Sequence, residues 1–409
     1  MKLAACQRFD PASAPEDWRI EPIKRRIWLE YGSNLTDESR RQGPFPVFGS
    51  NGQVGTHDAP YVEGPGILVG RKGSVGAVHF SESPFWPIDT VYYVRRLGND
   101  DWDYLYYLLG FLNLGLLNAA TGVPGLTRRD AHDILGAFPD IDEQTRIAAA
   151  LKLADEAIAK AQVELEATRV LKRTLLQTLF VTGFPGRHTR FVDSKLGPIP
   201  AGWEIRKIGS VLTEPPSSGT SPLSRPDPPG TPILNVSCVK GGVCDPTEVT
   251  YVDVTPEEVA RYQVQVDDFF VLRGNGNRDY VATGGLLRNA PPEGTIFSDK
   301  LIRLRFDAAK AAERFVPYLW QTFGFLTRLQ SKAESGSGLW MMSKRDIVRE
   351  QFAYPSVPEQ AEIVAVMDET EAQLIALNSK LEALEEVKRS LLQNLLTGKV
   401  RLPLGAAHA

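Results

Sequence analysis

Residues Arg273 to Asp279 read RGNGNRD, and Arg273, Asn275, Asn277 and Arg278 are side-chain types that make paired hydrogen bonds to guanine and adenine edges. Gly274 and Gly276 allow the tight turn that would present them. Asn-Gly is also the commonest hairpin pair, so a plain solvated hairpin fits the same letters. GILVGRKGS, Gly66 to Ser74, offers Arg71, Lys72 and Ser74 from a turn in the corresponding place, with phosphates or base edges as the complementary groups. It is not a nucleotide-binding loop. There the Lys-Ser pair follows a glycine directly, whereas here Arg71 follows Gly70, and Gly73 parts Lys72 from Ser74. FPVFGSNGQVGTH, Phe45 to His57, adds Ser50, Asn51 and Gln53, with Arg40 and Arg41 just upstream. TGVPGLTRRD (Thr121 to Asp130) and SGSGLWMMSKRD (Ser335 to Asp346) each run from a flexible loop into a basic step. They contribute Arg128 from the first, and Ser335, Ser337 and Lys344 from the second. Arg129 and Arg345 can instead pair with Asp130 and Asp346.

Other chemistries find no support. The five histidines show neither an HExxH pattern nor metal spacing. No GxSxG elbow is present, and Asn289-Ala290-Pro291-Pro292 lacks the residues of an adenine-methylating Asn-Pro-Pro-aromatic motif. The expectation is a chain that is not an enzyme and holds no cofactor or metal. Cys6, Cys238 and Cys244 form no CxxC pair and leave one thiol over, which suits a reducing cytoplasm. No run approaches the roughly 20 apolar residues of a membrane span, and the first residues lack a signal-peptide core, so a soluble cytoplasmic protein is expected. Charge is near balance throughout. Residues 1–142 carry 14 basic against 18 acidic side chains, and 184–358 carry 21 against 19. Such a chain would not neutralise many phosphates unaided, so any grip on nucleic acid would be shared with partners.

These turns must be positioned by something, and the chain repeats the element that could do it. Glu143 to Phe180 returns 216 residues later as Glu359 to Leu396, with thirteen of thirty-eight positions identical. Both copies predict long helices. Apolar or small residues step by four and three through Ile147, Leu151, Ala154, Ile158, Ala161, Leu165, Leu175 and Leu179. The second copy steps through Ile363, Met367, Leu374, Leu377, Leu381, Leu384, Leu391 and Leu395. That narrow stripe is a coiled-coil seam, and each helix is the other's natural partner. Thirty-eight residues make a rod of roughly 57 Å. Asp140, Asp142 and Glu143 signal the first start and Pro358 the second. Lys172-Arg173 and Lys388-Arg389 suit the C-terminal dipoles, and Gly183 and Gly398 follow as stops.

The match extends upstream, where Gly122, Arg129, Asp130 and Pro139 become Gly338, Arg345, Asp346 and Pro355. PEDWRI (Pro15 to Ile20) resembles PAGWEI (Pro200 to Ile205) at an offset of 185, so the second module is longer by 31 residues. Like spacers separate unlike modules. The predicted division is a module over 1–142, helix 143–183, linker 184–202, a second module over 203–358, helix 359–398 and tail 399–409. Each module reads as strands followed by a helix, Asp103 to Ala119 in the first and Phe315 to Leu329 in the second, an α+β arrangement. A plain tandem translation would make the helices parallel, whereas a pseudo-two-fold repeat makes them antiparallel, and the antiparallel pair is the expectation. It also places Leu396 to Leu402 after helix two where Val181 to Arg187 follows helix one, which brings the chain ends together.

In their twofold order the Trp18 and Trp203 openings, the PVFGSNGQVG and GRKGSVG stretches, the G-x-x-x-[LM]-[ST]-[RK]-R-D steps, the Pro-x-x-x-Glu-Gln starts at Pro139 and Pro355, and the KR[TS]LLQ helix ends resemble the specificity subunit of type I restriction–modification systems. The resemblance covers nearly the whole chain. It implies two α/β target-recognition domains, each reading half of a split double-stranded DNA sequence, with antiparallel coiled-coil helices fixing the gap. It also implies two methyltransferase subunits docked on the helices, and restriction subunits beyond them. S-adenosylmethionine, ATP and Mg would be used by those partners, not by this chain. The alternatives are the recognition subunit of a related methyltransferase without a restriction partner, and a coiled-coil scaffold with two protein-binding modules.

Overall fold

The computed structural model describes residues 14–117, 125–336 and 338–403. Ser337, Cys6, Gly122 and the stretch 118–124 of the first flexible loop lie outside the described residues. The chain forms two compact units. One runs to Val163 and resumes at Asn378; the other is Glu164–Leu377. Each unit therefore holds one α/β module and a portion of both long helices.

In the first unit the core sheet has strand order Ile27–Tyr31, Val91–Arg96, Gly66–Gly70, Val78–Ser81, all antiparallel. Gly66–Gly70 is buried along its whole length, which is why its letters GILVG show no alternation. A smaller sheet pairs Phe45–Gly49 with Gly52–His57 and with Trp86–Pro87. The single helix expected over Asp103 to Ala119 is shorter. It runs Trp102–Phe111, capped by Asp101, and gives way to a tight turn at Leu114–Leu117. Asn113 takes a φ of 49° there, and the turn lies so close to Gly76 that a Cβ on that glycine would sit 2.1 Å from the Gly115 nitrogen.

The second unit is built on a six-stranded sheet with Phe269–Leu272 inside it, flanked by Leu301–Leu304 and Gly284–Leu286. The helix expected over Phe315 to Leu329 is two helices, Phe315–Leu319 and Phe323–Ser331. Trp320 sits at the break with its Nε1 donating 2.7 Å to the Ala282 carbonyl, so the chain turns to bury that ring. Periodicity alone could not register a contact 38 residues away.

The modules differ, but their attachments to the helices are copies. Arg19–Pro22 pairs antiparallel with Leu135–Phe138, as Glu204–Lys207 does with Gln351–Tyr354. The Trp18 Nε1 donates 3.1 Å to buried Glu143, and the Trp203 Nε1 donates 3.1 Å to buried Glu359. The neighbouring glutamines donate back to proline carbonyls, Gln144 to Pro139 at 3.0 Å and Gln360 to Pro355 at 2.9 Å. Their oxygens accept from the Asp101 and Ala312 amides. A Glu-Gln pair at a helix start thus holds each module by its first tryptophan. The basic steps are helix caps: Thr127 accepts from the Asp130 amide and Ser343 from the Asp346 amide, each opening a short helix.

The long helices are Ile141–Leu179 and Val357–Leu395, each 39 residues and in the register of the 216-residue repeat. Asp140 and Ser356 are the capping side chains, while Asp142 and Pro358 lie inside the first turns. Within both units the helix segments run antiparallel. Ile147 and Leu151 share a core with Leu391 and Leu395, and Leu176 and Leu179 share one with Ile363 and Met367. Two buried threonines also occupy the seam, Thr168 and Thr370, each returning its hydroxyl to the carbonyl four residues back. Lys172 and Lys388 do not serve the helix dipoles. They lie about two turns from the ends, beyond the dipole's reach, and face acids on the other helix: Lys172 meets Glu371 at 2.5 Å, and Lys388 meets Asp155.

After the helices, Gly183 and Gly398 adopt φ of 74° and 72°. His188 and Arg401 then reach back to Glu359 and Glu143. Arg401 also pairs with Asp17 at 2.9 Å, so the two ends of the described chain meet.

Candidate nucleic-acid interface

In the first module the two glycine-rich turns form one surface. Ser50 and Asn51 make the turn between Phe45–Gly49 and Gly52–His57, and the Ser74 hydroxyl donates to the Asn51 side-chain oxygen at 3.5 Å. Asn51, Lys72 and Ser74 are exposed, and Gln53 bends back to the Gly55 carbonyl. Arg71 is engaged within the fold. Its guanidinium donates to the Asp89 carbonyl at 3.1 and 2.7 Å and lies over the Tyr31 ring. Arg128 stacks on the same tyrosine from 4.2 Å, and its Nε is buried without a hydrogen-bond partner among the described residues. Tyr31, 48% exposed, is thus the centre of a cation–aromatic stack that sequence reasoning missed. Its only signal was an aromatic residue ahead of Gly32-Ser33. Arg40 braces the hairpin, bonded to the Val54 carbonyl and Asp37, whereas Arg41 is exposed beside Asp58.

His132 supports this module from below. Its Nε2 accepts from the Leu29 amide at 3.1 Å, which requires the neutral ring, and burial, reinforced by Arg128, holds its pKa below 6.5. In the unfolded chain the ring takes its proton near pH 6.5. Stability is therefore present above that pH and is lost as pH falls through it, until the folded ring also protonates. Melting curves between pH 7.5 and 5 should show a steeper fall for the wild type than for His132→Gln, which keeps an acceptor and does not titrate. Parallel slopes would disprove the assignment.

In the second module a three-stranded sheet joins segments 60 residues apart. Gly274–Asn275 and Glu334–Gly336 both pair with Leu339–Met341, placing RGNGNRD beside the serine-rich loop. Asn275 and Asn277 spend their oxygens on the amides of Asn277 and Asp279, leaving their NH₂ groups to donate outward. Arg278 donates to the Gln330 and Ser331 carbonyls and lies over Trp340 at 4.8 Å, so it holds the turn in place. The Arg273 side chain has no hydrogen-bond or ion-pair partner among the described residues. Ser335 and Lys344 are exposed, and so is Tyr280, which sequence reasoning also missed. Among the described residues no group of three or more His, Cys, Asp or Glu could hold a metal, and no helix is long and apolar enough to cross a membrane.

Each module thus presents amide, hydroxyl and cationic donors beside exposed tyrosine on a braced surface, chemistry suited to base edges and phosphates. No family model matches the chain. It is 27% identical over 198 residues to the type I restriction enzyme EcoKI specificity subunit of Escherichia coli (strain K12), over 47% of this chain and 42% of that one. It is 21% identical over 212 residues to the putative type I restriction enzyme MjaX specificity subunit of Methanocaldococcus jannaschii, over 52% and 49%. The chain therefore spans about half the length of these two relatives. The type I restriction enzyme MjaVIII specificity subunit of M. jannaschii matches at 24% over 73% and 70%. In fold, the S subunit of the type I restriction–modification system of M. genitalium superposes with a TM-score of 0.61 at 16% identity, covering 93% of this chain and 96% of that one. A chain from a type I R-M system, solved for its complex assembly and conformational transition, superposes with a TM-score of 0.56 at 15% identity, over 95% and 99%. The chain is related, in sequence and in fold, to the specificity subunits of type I restriction enzymes.

Proposed function

We propose that this chain is the DNA-recognition subunit of a type I restriction–modification complex, each module reading one half of a bipartite target and the long helices setting the spacer between the halves. One observation carries the reading: the Trp–Glu-Gln attachment is duplicated contact for contact, while the loops it positions differ in sequence and in bracing. Identical mounts for different readers are what an asymmetric split target requires. The chain contributes address and no catalytic group. It binds no cofactor itself; S-adenosylmethionine, ATP and Mg serve its partners in the cytoplasm. Those partners are double-stranded DNA, two methyltransferase subunits and restriction subunits. A twice-docked partner is supported by grooves lined at equivalent helix positions in both units, by Arg173 and Leu176 and by Arg389 and Leu392.

The test is methylation of a DNA library randomised in both half-sites, by this chain assembled with its methyltransferase subunits. The wild type should select one bipartite sequence. Arg273→Ala should relax one half alone, and Asn51→Ala with Lys72→Ala the other. A bidentate base contact contributes roughly 1–3 kcal/mol, about 5- to 150-fold in discrimination. Equal losses in both halves would reduce these residues to phosphate contacts, and no selected sequence at all would end the reading.

A further inference from the structure

The seam of the long helices contains two ion pairs where its four-three spacing calls for apolar residues. Lys172 follows Leu165 and Thr168 in the stripe, and Lys388 follows Leu381 and Leu384. Lys172 and Glu371 are each only 15% exposed, and Lys388 and Asp155 are 30% and 34% exposed. The pairs are copies, since both Lys172 to Lys388 and Asp155 to Glu371 are steps of 216. Asp155 also accepts from the Tyr107 hydroxyl at 2.8 Å, which ties the first module to the same point.

In an antiparallel pair, facing positions have numbers of constant sum, and both ion pairs add to 543, so one register satisfies both. The apolar seam alone does not choose that register, because a slide of one heptad again sets stripe against stripe. Outside the contacts His188 to Glu359 and Arg401 to Glu143 at the helix ends, the charges within the seam do choose. After a slide of seven in one direction Lys172 faces Val364 and Lys388 faces Ala148, while Glu371 and Asp155 face Leu165 and Leu381. In the other direction the lysines face Asn378 and Gln162, and the acids face Leu179 and Leu395. Either slide leaves four half-buried charges against uncharged neighbours, and an unpaired buried charge is strongly disfavoured. One heptad is about 10 Å of helix, close to three base pairs of DNA at about 3.4 Å each.

We infer that the reciprocal pairs Lys172–Glu371 and Lys388–Asp155 select the register of the long helices and so determine which spacer length the chain accepts. The register claim stands on the contacts; the spacer claim rests on the function proposed above. The full chain is compared with Lys172→Glu/Lys388→Glu, with the restoring swap that adds Glu371→Lys and Asp155→Lys, and with an apolar variant, Lys172→Met/Glu371→Leu/Lys388→Met/Asp155→Leu. The apolar variant keeps a seam that folds while removing the selection. Register is read by pulsed electron–electron distances between spin labels at Lys160 and Ala383, two exposed positions whose numbers also add to 543, with Cys6 replaced by serine. The wild type and the swap should give one distance, and the apolar variant should add a second, longer one, because a slide of about 10 Å along the axis takes the two labels out of opposition. In the methylation assay the apolar variant should accept spacers about three base pairs away, with discrimination against them down about tenfold or more. A single unshifted distance in the apolar variant overturns the register claim. A shifted register with unchanged spacer preference overturns the spacer claim. If the wild type methylates no bipartite site, the function and the spacer claim fall together, and the distances still decide the register.

Discussion

Leu377→Pro should cost the helix pair about 3 kcal/mol or more, because proline removes an amide donor from the helix interior and its ring clashes with the preceding turn. Leu377 is buried on the seam and far from either end of Val357–Leu395, so no fraying can absorb the change. Both modules keep their own sheets and should remain folded, visible as retained near-ultraviolet dichroism from buried rings such as Trp320 and Tyr104. On the function proposed above, methylation of the bipartite site should nevertheless collapse, since that function needs the helices to hold the two readers at a set spacing. Wild-type methylation by this variant would show that the helices do not act as a ruler.

The second large effect is expected at the module mounts. Glu143 is about 1% exposed and accepts from the Trp18 indole and from Arg401 at 2.9 and 2.6 Å. Glu143→Ala strands the indole N–H in the core, and that orphaned donor alone costs about 1–3 kcal/mol. Loss of the Arg401 contact adds to it and leaves Arg401 with its Asp17 pair. Hydrogen exchange should speed up in Arg19–Pro22 and Leu135–Phe138 and stay unchanged in their counterparts Glu204–Lys207 and Gln351–Tyr354. Glu359→Ala should invert that pattern through Trp203. Uniform acceleration across both modules from either substitution would refute the independent mounts.

The long helices and their duplication were legible in the letters because a coiled-coil seam is a local periodic pattern, repeated at Ile147, Leu151 and Ala161 and again at Ile363, Met367 and Leu377. The motifs at the modules' edges were legible as repeats but not as contacts. Nothing in Pro-x-x-x-Glu-Gln says that the carboxylate will meet a tryptophan 125 residues earlier. Helix breaks at Leu112 and Trp320 escaped for the same reason, since a distant glycine and a distant carbonyl, at Gly76 and Ala282, turn the chain there. The candidate site divides along that line. Arg273 and Arg278 look equivalent in RGNGNRD, yet carbonyls 52 and 53 residues away claim Arg278 and leave Arg273 without a partner among the described residues. Arg71 and Lys72 differ in degree: the Asp89 carbonyl holds the Arg71 guanidinium, whereas exposed Lys72 makes only a 3.8 Å ion pair with the Asp89 carboxylate. Residue type and spacing set which groups could donate, because those properties are local. Which of them still have a donor to offer depends on how distant segments satisfy one another's buried polar groups, and that is settled when the chain packs.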